Sequence, residues 1–151
     1  MLGTAFTEIE QETLDLDWFF TDGDEIGFVA SAGGKLPGAV SKSKEKLEVL
    51  FSYFTSLPQT CKVVINPDLN KIITDPPADD KYLSYFIDMA KKGLYSFDKT
   101  VLSSFSETNY HLVAQPESPL KIKDLPLEIM EIISGITTKR PIAKTLNISD
   151  F

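Results

Sequence analysis

His111 and Cys61 are the single histidine and the single cysteine of the chain. They could act as a base and a nucleophile only if the fold brought them together. Cys61 precedes a short apolar run and has no local thiol-enzyme signature. His111 lies in Asn109-Tyr110-His111-Leu112-Val113-Ala114-Gln115, between apolar neighbours. With no second histidine and no paired cysteines at ligand spacing, it reads as a structural histidine rather than a metal ligand. Asp22-Gly23-Asp24-Glu25 resembles a fragment of a calcium loop, but the rest of that spacing is missing and a hairpin turn is expected. The glycines between Ala32 and Gly38 match neither nucleotide-binding glycine pattern, and no nucleophile-elbow serine occurs. Carboxylates abound without one pair standing out. These residues predict no catalytic site, no metal and no cofactor, in a protein that is not an enzyme.

Charge is more informative. The net charge of 151 residues is −7, yet residues 1–34 hold eight acids and no lysine or arginine. The acids are Glu8, Glu10, Glu12, Asp15, Asp17, Asp22, Asp24 and Glu25, and the remainder of the chain carries 14 acids against 15 bases. Such a stretch disfavours nucleic acid, which needs clustered cations on its phosphates, and suits a basic partner. A lone cysteine fits a reducing compartment. Neither a signal pattern at the start nor an apolar run of about 18 residues is present, so no membrane association is expected and the location is read as cytoplasmic.

The acids surround a hairpin. In Leu14 to Gly34, Leu16, Trp18 and Phe20 alternate with Asp15, Asp17, Phe19 and Thr21, and Asp22-Gly23 marks the turn. A three-residue loop, Asp22 to Asp24, would pair Phe20 with Ile26, Trp18 with Phe28 and Leu16 with Ala30. That register gathers most large apolar residues on one face, which favours it. Asp15, Asp17, Glu25 and Ser31 then ring Phe19 and Val29 on the outer face. The expected partner-binding residues are Asp15, Asp17, Phe19 and Glu25, with Asp22 and Asp24 at the turn.

Other elements must hold that hairpin. Strands are expected over Glu10–Thr21 and Glu25–Ser31. A helix is expected over Ser41–Leu57, capped by Ser41 or Ser43, with a stripe of Leu47, Leu50, Phe51, Phe54 and Leu57. Its basic first turn (Lys42, Lys44, Lys46) opposes the helix dipole and could answer the acidic hairpin. Lys62–Asn66 reads as a short buried strand, and Lys71–Thr74 as a strand or loop. Asp75-Pro76-Pro77 is a stiff connector. A second helix runs from a cap at Asp79 or Asp80 to Lys92, with Leu83, Phe86, Ile87, Ala90 and Leu94 inward and Tyr82, Tyr85 and Met89 beside them; Gly93 stops it. Leu94–Asp98 and Asn109–Gln115 should pair as strands, joined by a connector anchored at Val101, Leu102 and Phe105. A short helix runs from Asp124 to Ser134 with Pro126 in its first turn. The fold class expected is α+β: one domain, an antiparallel sheet of about four to six strands, two long helices and one short helix. Residues 1–9 and 137–151 are expected to be the loosest attached, the latter as a final strand or an arm.

Three blocks occur together: Asp17-Trp18-Phe19 with Asp22-Gly23, Ile26-Gly27 and Ser31-Ala32-Gly33-Gly34; Lys92-Gly93-Leu94-Tyr95-Ser96-Phe97-Asp98; and Tyr110 to Pro116 with Ser118-Pro119-Leu120 and Asp124-Leu125-Pro126. In this order the chain resembles small bacterial immunity-type proteins found beside polymorphic or contact-dependent toxins. Each block is a turn, a cap or a strand, so no binding residue carries over. The resemblance implies an α+β inhibitor that binds one toxin domain, and an acidic face would suit a basic one. Two other readings stay open. One is an enzyme or small-molecule-binding protein with a cleft gathering His111, a carboxylate and tyrosines. The other is an oligomeric scaffold using an apolar face at Tyr82, Tyr85 and Met89.

Overall fold

The computed structural model describes residues 4–74, 77–101 and 104–151. Of the expected connector only Pro77 is described, and Leu102 lies outside the described residues. The chain begins with a helix, α1 (Glu8–Thr13), where the start of a strand was expected. Thr7 caps it by accepting from the Glu10 N–H, and the Glu10 side chain accepts from the Thr7 N–H. That reciprocal pair satisfies two backbone donors at the helix start.

β1 (Asp17–Thr21) and β2 (Ile26–Ala30) form the expected hairpin, but in a different register. Thr21 faces Ile26, Phe20 faces Gly27, Phe19 faces Phe28, Trp18 faces Val29 and Asp17 faces Ala30, leaving a four-residue loop. The loop is fixed by side chains. Asp22 Oδ1 accepts from the N–H groups of Asp24 (2.9 Å) and Glu25 (2.8 Å), and Thr21 Oγ1 donates to the Glu25 carbonyl and accepts from the Gly23 N–H. The three-residue register assumed one wet face. Both faces are covered, and Trp18, Phe19, Phe20, Phe28 and Val29 are all fully buried.

Next come α2 (Gly38–Ser41), α3 (Lys44–Ser56), β3 (Val63–Ile65), α4 (Leu69–Ile72) and α5 (Asp80–Lys91). Ser43 is the α3 cap and Asp79 the α5 cap, each side chain accepting a backbone N–H three residues on. Gly93 ends α5 at φ +98°, a conformation that favours glycine. β4 (Tyr95–Lys99), β5 (Asn109–Pro116), α6 (Leu127–Ser134) and β6 (Thr145–Asn147) complete the chain, with short 3₁₀ turns at Ile122–Asp124 and Ile148–Asp150.

The class is α+β, with a sheet ordered β1-β2-β4-β5-β3 and β6 lying beside β3 on the same edge of β5. The sheet is mixed rather than antiparallel, because β2 and β4 run parallel. A parallel pair needs a long crossover, and residues 31–94 supply it with the four helices α2 to α5 and β3. The helices α3 and α5 cover one face: Phe54 stacks on Phe19 at 4.8 Å, and Tyr85 and Phe86 approach Phe28 at 5.4 and 6.2 Å between ring centroids. Trp18 and Phe20 point to the other face. There the C-terminal residue, Phe151, meets each of them edge-on at 5.4 Å. The 137–151 stretch is thus a strand, a turn and a core contact. Residues 136–138 also close the free edge of β1, through Thr21 N–H to the Ile136 carbonyl and Thr138 N–H to the Thr21 carbonyl.

Phe151→Ala should unpack Trp18. A loss of about 2 kcal/mol is expected, below the full cost of a buried phenylalanine because Phe151 is only partly buried. Chemical denaturation measures it, and the emission of the single tryptophan should shift to longer wavelength. An unchanged spectrum and midpoint would mean that the tail is not part of the core.

Candidate partner-binding groove

The five acids among the six candidate residues fall into two groups at opposite ends of β1, roughly 16 Å apart by strand rise. At the turn end the acids are used by the fold. Burial works against the Asp22 carboxylate, but the N–H groups of Glu25, Ile142 and Asp24 outweigh it and hold its pKa below the ordinary range. Lys121 Nζ stands 3.1 Å from Asp24 and 2.9 Å from Glu25, and the Tyr95 hydroxyl donates to Glu25. Phe19 is no surface anchor: with no exposed area it packs between Phe28 and Phe54. Its burial follows from the cover that α3 and α5 give to the face expected to be outer.

At the other end, Asp15 and Asp17 border an open groove of about 370 Å³. Phe6, Leu16, Leu47 and Phe51 give it an apolar floor, and Lys44 and Glu48 complete its lining. Lys44, Leu47, Glu48 and Phe51 fall at i, i+3, i+4 and i+7, so α3 presents them on one side. Phe51 was expected in the core stripe, yet it is 40% exposed. Lys44 is already engaged: its Nζ lies 2.6 Å from Glu10 Oε2 and 5.5 Å above the Phe6 ring. The basic helix start therefore does answer an N-terminal acid, on α1 rather than on the hairpin. Among the described residues no ion pair involves Asp15, Asp17 or Glu48, so the rim stays acidic.

Asp17 links the groove to the interior. The register aligns Asp17, Ala30, Asp98 and His111 in one row across β1, β2, β4 and β5, with the two carboxylates roughly 10 Å apart. α5 lies over this row. Tyr85 donates its hydroxyl to Asp17 Oδ2 at 2.8 Å, and Tyr82, one turn earlier, donates to Asp98 Oδ2. Desolvation raises both acids to about 6, against the lowering effect of each tyrosine. The tyrosines are pushed up in turn, first by desolvation and then by the carboxylates. This uses the polar ends of Tyr82 and Tyr85, and Met89 is buried in the core, so the expected apolar stripe on α5 is divided.

His111 is 2% exposed, with Nε2 unpartnered among the described residues and Nδ1 3.3 Å from Thr100 Oγ1. Burial alone lowers its pKa to about 4. A carboxylate in contact would push it upward. Asp98 thus faces His111 in the ladder but turns its charge to Tyr82. Cys61 is half-buried near the Ala90 carbonyl. Among the described residues no group of three or more His, Cys, Asp or Glu side chains could hold a metal ion, and no helix is long and apolar enough to cross a membrane. The groove partners Phe6, Glu48 and Phe51 were missed by sequence reasoning. The i, i+4 pairing of Leu47 with Phe51 was visible, but not which residue of the stripe would stay partly in solvent.

No family model, no curated protein and no solved structure matches this chain.

The row predicts opposed proton effects. Asp17 and Asp98 rise from 3.8 to about 6 on folding, so their neutral forms are favoured and stability increases as pH falls through 6. Between pH 7.5 and 5 each contributes a gain of about 1.4 kcal/mol. His111 falls from 6.5 to about 4, so folding favours its neutral form and stability is lost as pH drops below 6.5, by about 2 kcal/mol at pH 5. The stability difference between His111→Leu and the parent should therefore change by about 2 kcal/mol in favour of the variant over that range. Denaturant titrations at both pH values measure it, and parallel curves would refute the assignment.

Proposed function

We propose that this chain is a non-enzymatic protein-binding module, an immunity-like inhibitor that holds a basic toxin domain against its acidic N-terminal region. One observation carries the reading: Asp15, Asp17 and Glu48 rim an open groove whose floor includes the exposed ring of Phe51. An apolar floor within a charged rim is the arrangement of a protein interface centre, where an aromatic supplies contact area and surrounding charge supplies steering. The bias of eight acids and no base in residues 1–34 supports a cationic partner. The resemblance to immunity-type proteins agrees with it in kind. The acidic site of this reading is Asp15 and Asp17 together with Glu48, and no longer includes the turn acids or Phe19.

The test begins with the product of the adjacent gene. Co-expression should rescue cells from its toxicity, and the two proteins should co-purify. Asp15→Lys with Glu48→Lys should slow association by at least about tenfold at low salt, and the parent's association rate should fall steeply as salt rises. Rescue and a salt-sensitive complex support the reading. Absence of both rescue and complex, with the chain folded, overturns it.

A further inference from the structure

The groove specifies the kind of segment that would occupy it, an inference that rests on the protein-binding reading and narrows it. We propose that it takes a bulky apolar side chain of the partner, flanked in the partner's sequence by lysine or arginine, with the cation held between Asp15, Asp17 and Glu48.

Four features meet here. The floor is apolar and contributed by separate segments: Phe6 from the stretch before α1, Leu16 from the residue before β1, and Leu47 and Phe51 from α3. Its volume, about 370 Å³, lies near the low end for sites that enclose a ligand, which fits one inserted side chain better than a large cofactor. The rim carries three carboxylates, while its one cation, Lys44, is neutralised by Glu10 at 2.6 Å. Finally, Asp17 is held in place. Its Oδ2 accepts from Tyr85, whose ring is braced against Phe28 at 5.4 Å, and among the described residues its Oδ1 accepts no hydrogen bond. An oriented, partly desolvated carboxylate with one oxygen open suits a guanidinium or ammonium group. An uncharged apolar segment would leave this rim desolvated without compensation, and an acidic one would be repelled.

The probe is a blocked peptide, Gly-Ser-Lys-Leu-Lys-Ser-Gly, titrated into isotopically labelled protein and followed by backbone amide shifts. The expected result is a saturable shift pattern centred on Leu16, Asp17, Glu48 and Phe51. Replacing the peptide's leucine by glycine should weaken binding by about tenfold, and replacing its lysines by glutamate should abolish it. In the protein, Phe51→Ser and Glu48→Lys should each weaken binding, whereas Glu128→Lys on α6 should not; melting curves confirm that all three fold. Shifts centred elsewhere, or equal binding of the glutamate peptide, would overturn the proposal. The adjacent-gene complex separates this inference from the reading beneath it. Full affinity of that complex for Phe51→Ser and Glu48→Lys would remove the groove and leave the inhibitor standing. Peptide binding in the groove without any such complex would keep the groove and remove the inhibitor.

Discussion

The hairpin β1–β2 is buried on both faces, and much of the remaining architecture answers that constraint. Three consecutive aromatic residues, Trp18, Phe19 and Phe20, cannot all face one layer, because successive strand residues alternate sides. Phe19 enters the layer of α3 and α5 while Trp18 and Phe20 enter the opposite one. A second cover is therefore required, and the C-terminal stretch supplies it with Phe151. The same requirement explains Gly27. A Cβ there would come within 2.1 Å of the Phe20 ring, so the strand opposite Phe20 must give up its side chain to let the ring lie flat. With both faces apolar, alternation no longer selects the register. The hydrogen bonds of Thr21 and Asp22 in the turn do, and they fix a four-residue loop.

Burial of the hairpin and its neighbours also sets the electrostatics. Asp17, Asp98 and His111 lie in one row beneath α5, and each loses hydration there. The tyrosines at i and i+3 of α5 replace part of that hydration for the two acids, whereas among the described residues the His111 ring has only the Thr100 hydroxyl beside it. Net stability is thus drawn in opposite directions by protons, with the carboxyls favoured at acid pH and the imidazole at neutral pH. The pairing of Tyr85 with Asp17 has a second consequence. It keeps one oxygen of a groove carboxylate occupied and the side chain oriented, so that surface and interior share a residue.

Much of this was legible in the sequence where local chemistry decides. Each helix cap was narrowed to two residues, of which Ser43 and Asp79 serve, while Gly93 read as a helix stop and the Asn109 strand as the partner of the Tyr95 strand, and both stand so in the structure. The α+β class followed from those elements. What local pattern cannot carry is which strands meet after a long crossover, and the parallel β2–β4 pair is such a case. The number of covered faces is another, and the register error followed directly from assuming one. α1 is different, because Thr7-Glu8-Ile9-Glu10 has the spacing of a capping box, but Glu10–Thr21 was read as one strand.

The site divides along the same line. Five acids and Phe19 were grouped as one contact surface, because the expected register left one face of the hairpin to solvent beside the turn. Folding sorts them by what each is needed for. Asp22 holds a turn and a backbone N–H from residue 142, Asp24 and Glu25 neutralise Lys121, and Phe19 fills the core. Asp15 makes no such contact among the described residues, and Asp17 makes one with an oxygen to spare. α3 packs over β1, the edge strand of the sheet. Phe51 is left partly in solvent there, next to the two remaining acids and Glu48. The acidity of the N-terminal region is therefore a poor guide to a contact surface until the charges spent on the fold are subtracted. The remainder is small, localised and adjacent to exposed aromatic area, which is where charge and apolar contact can act on the same partner residue pair.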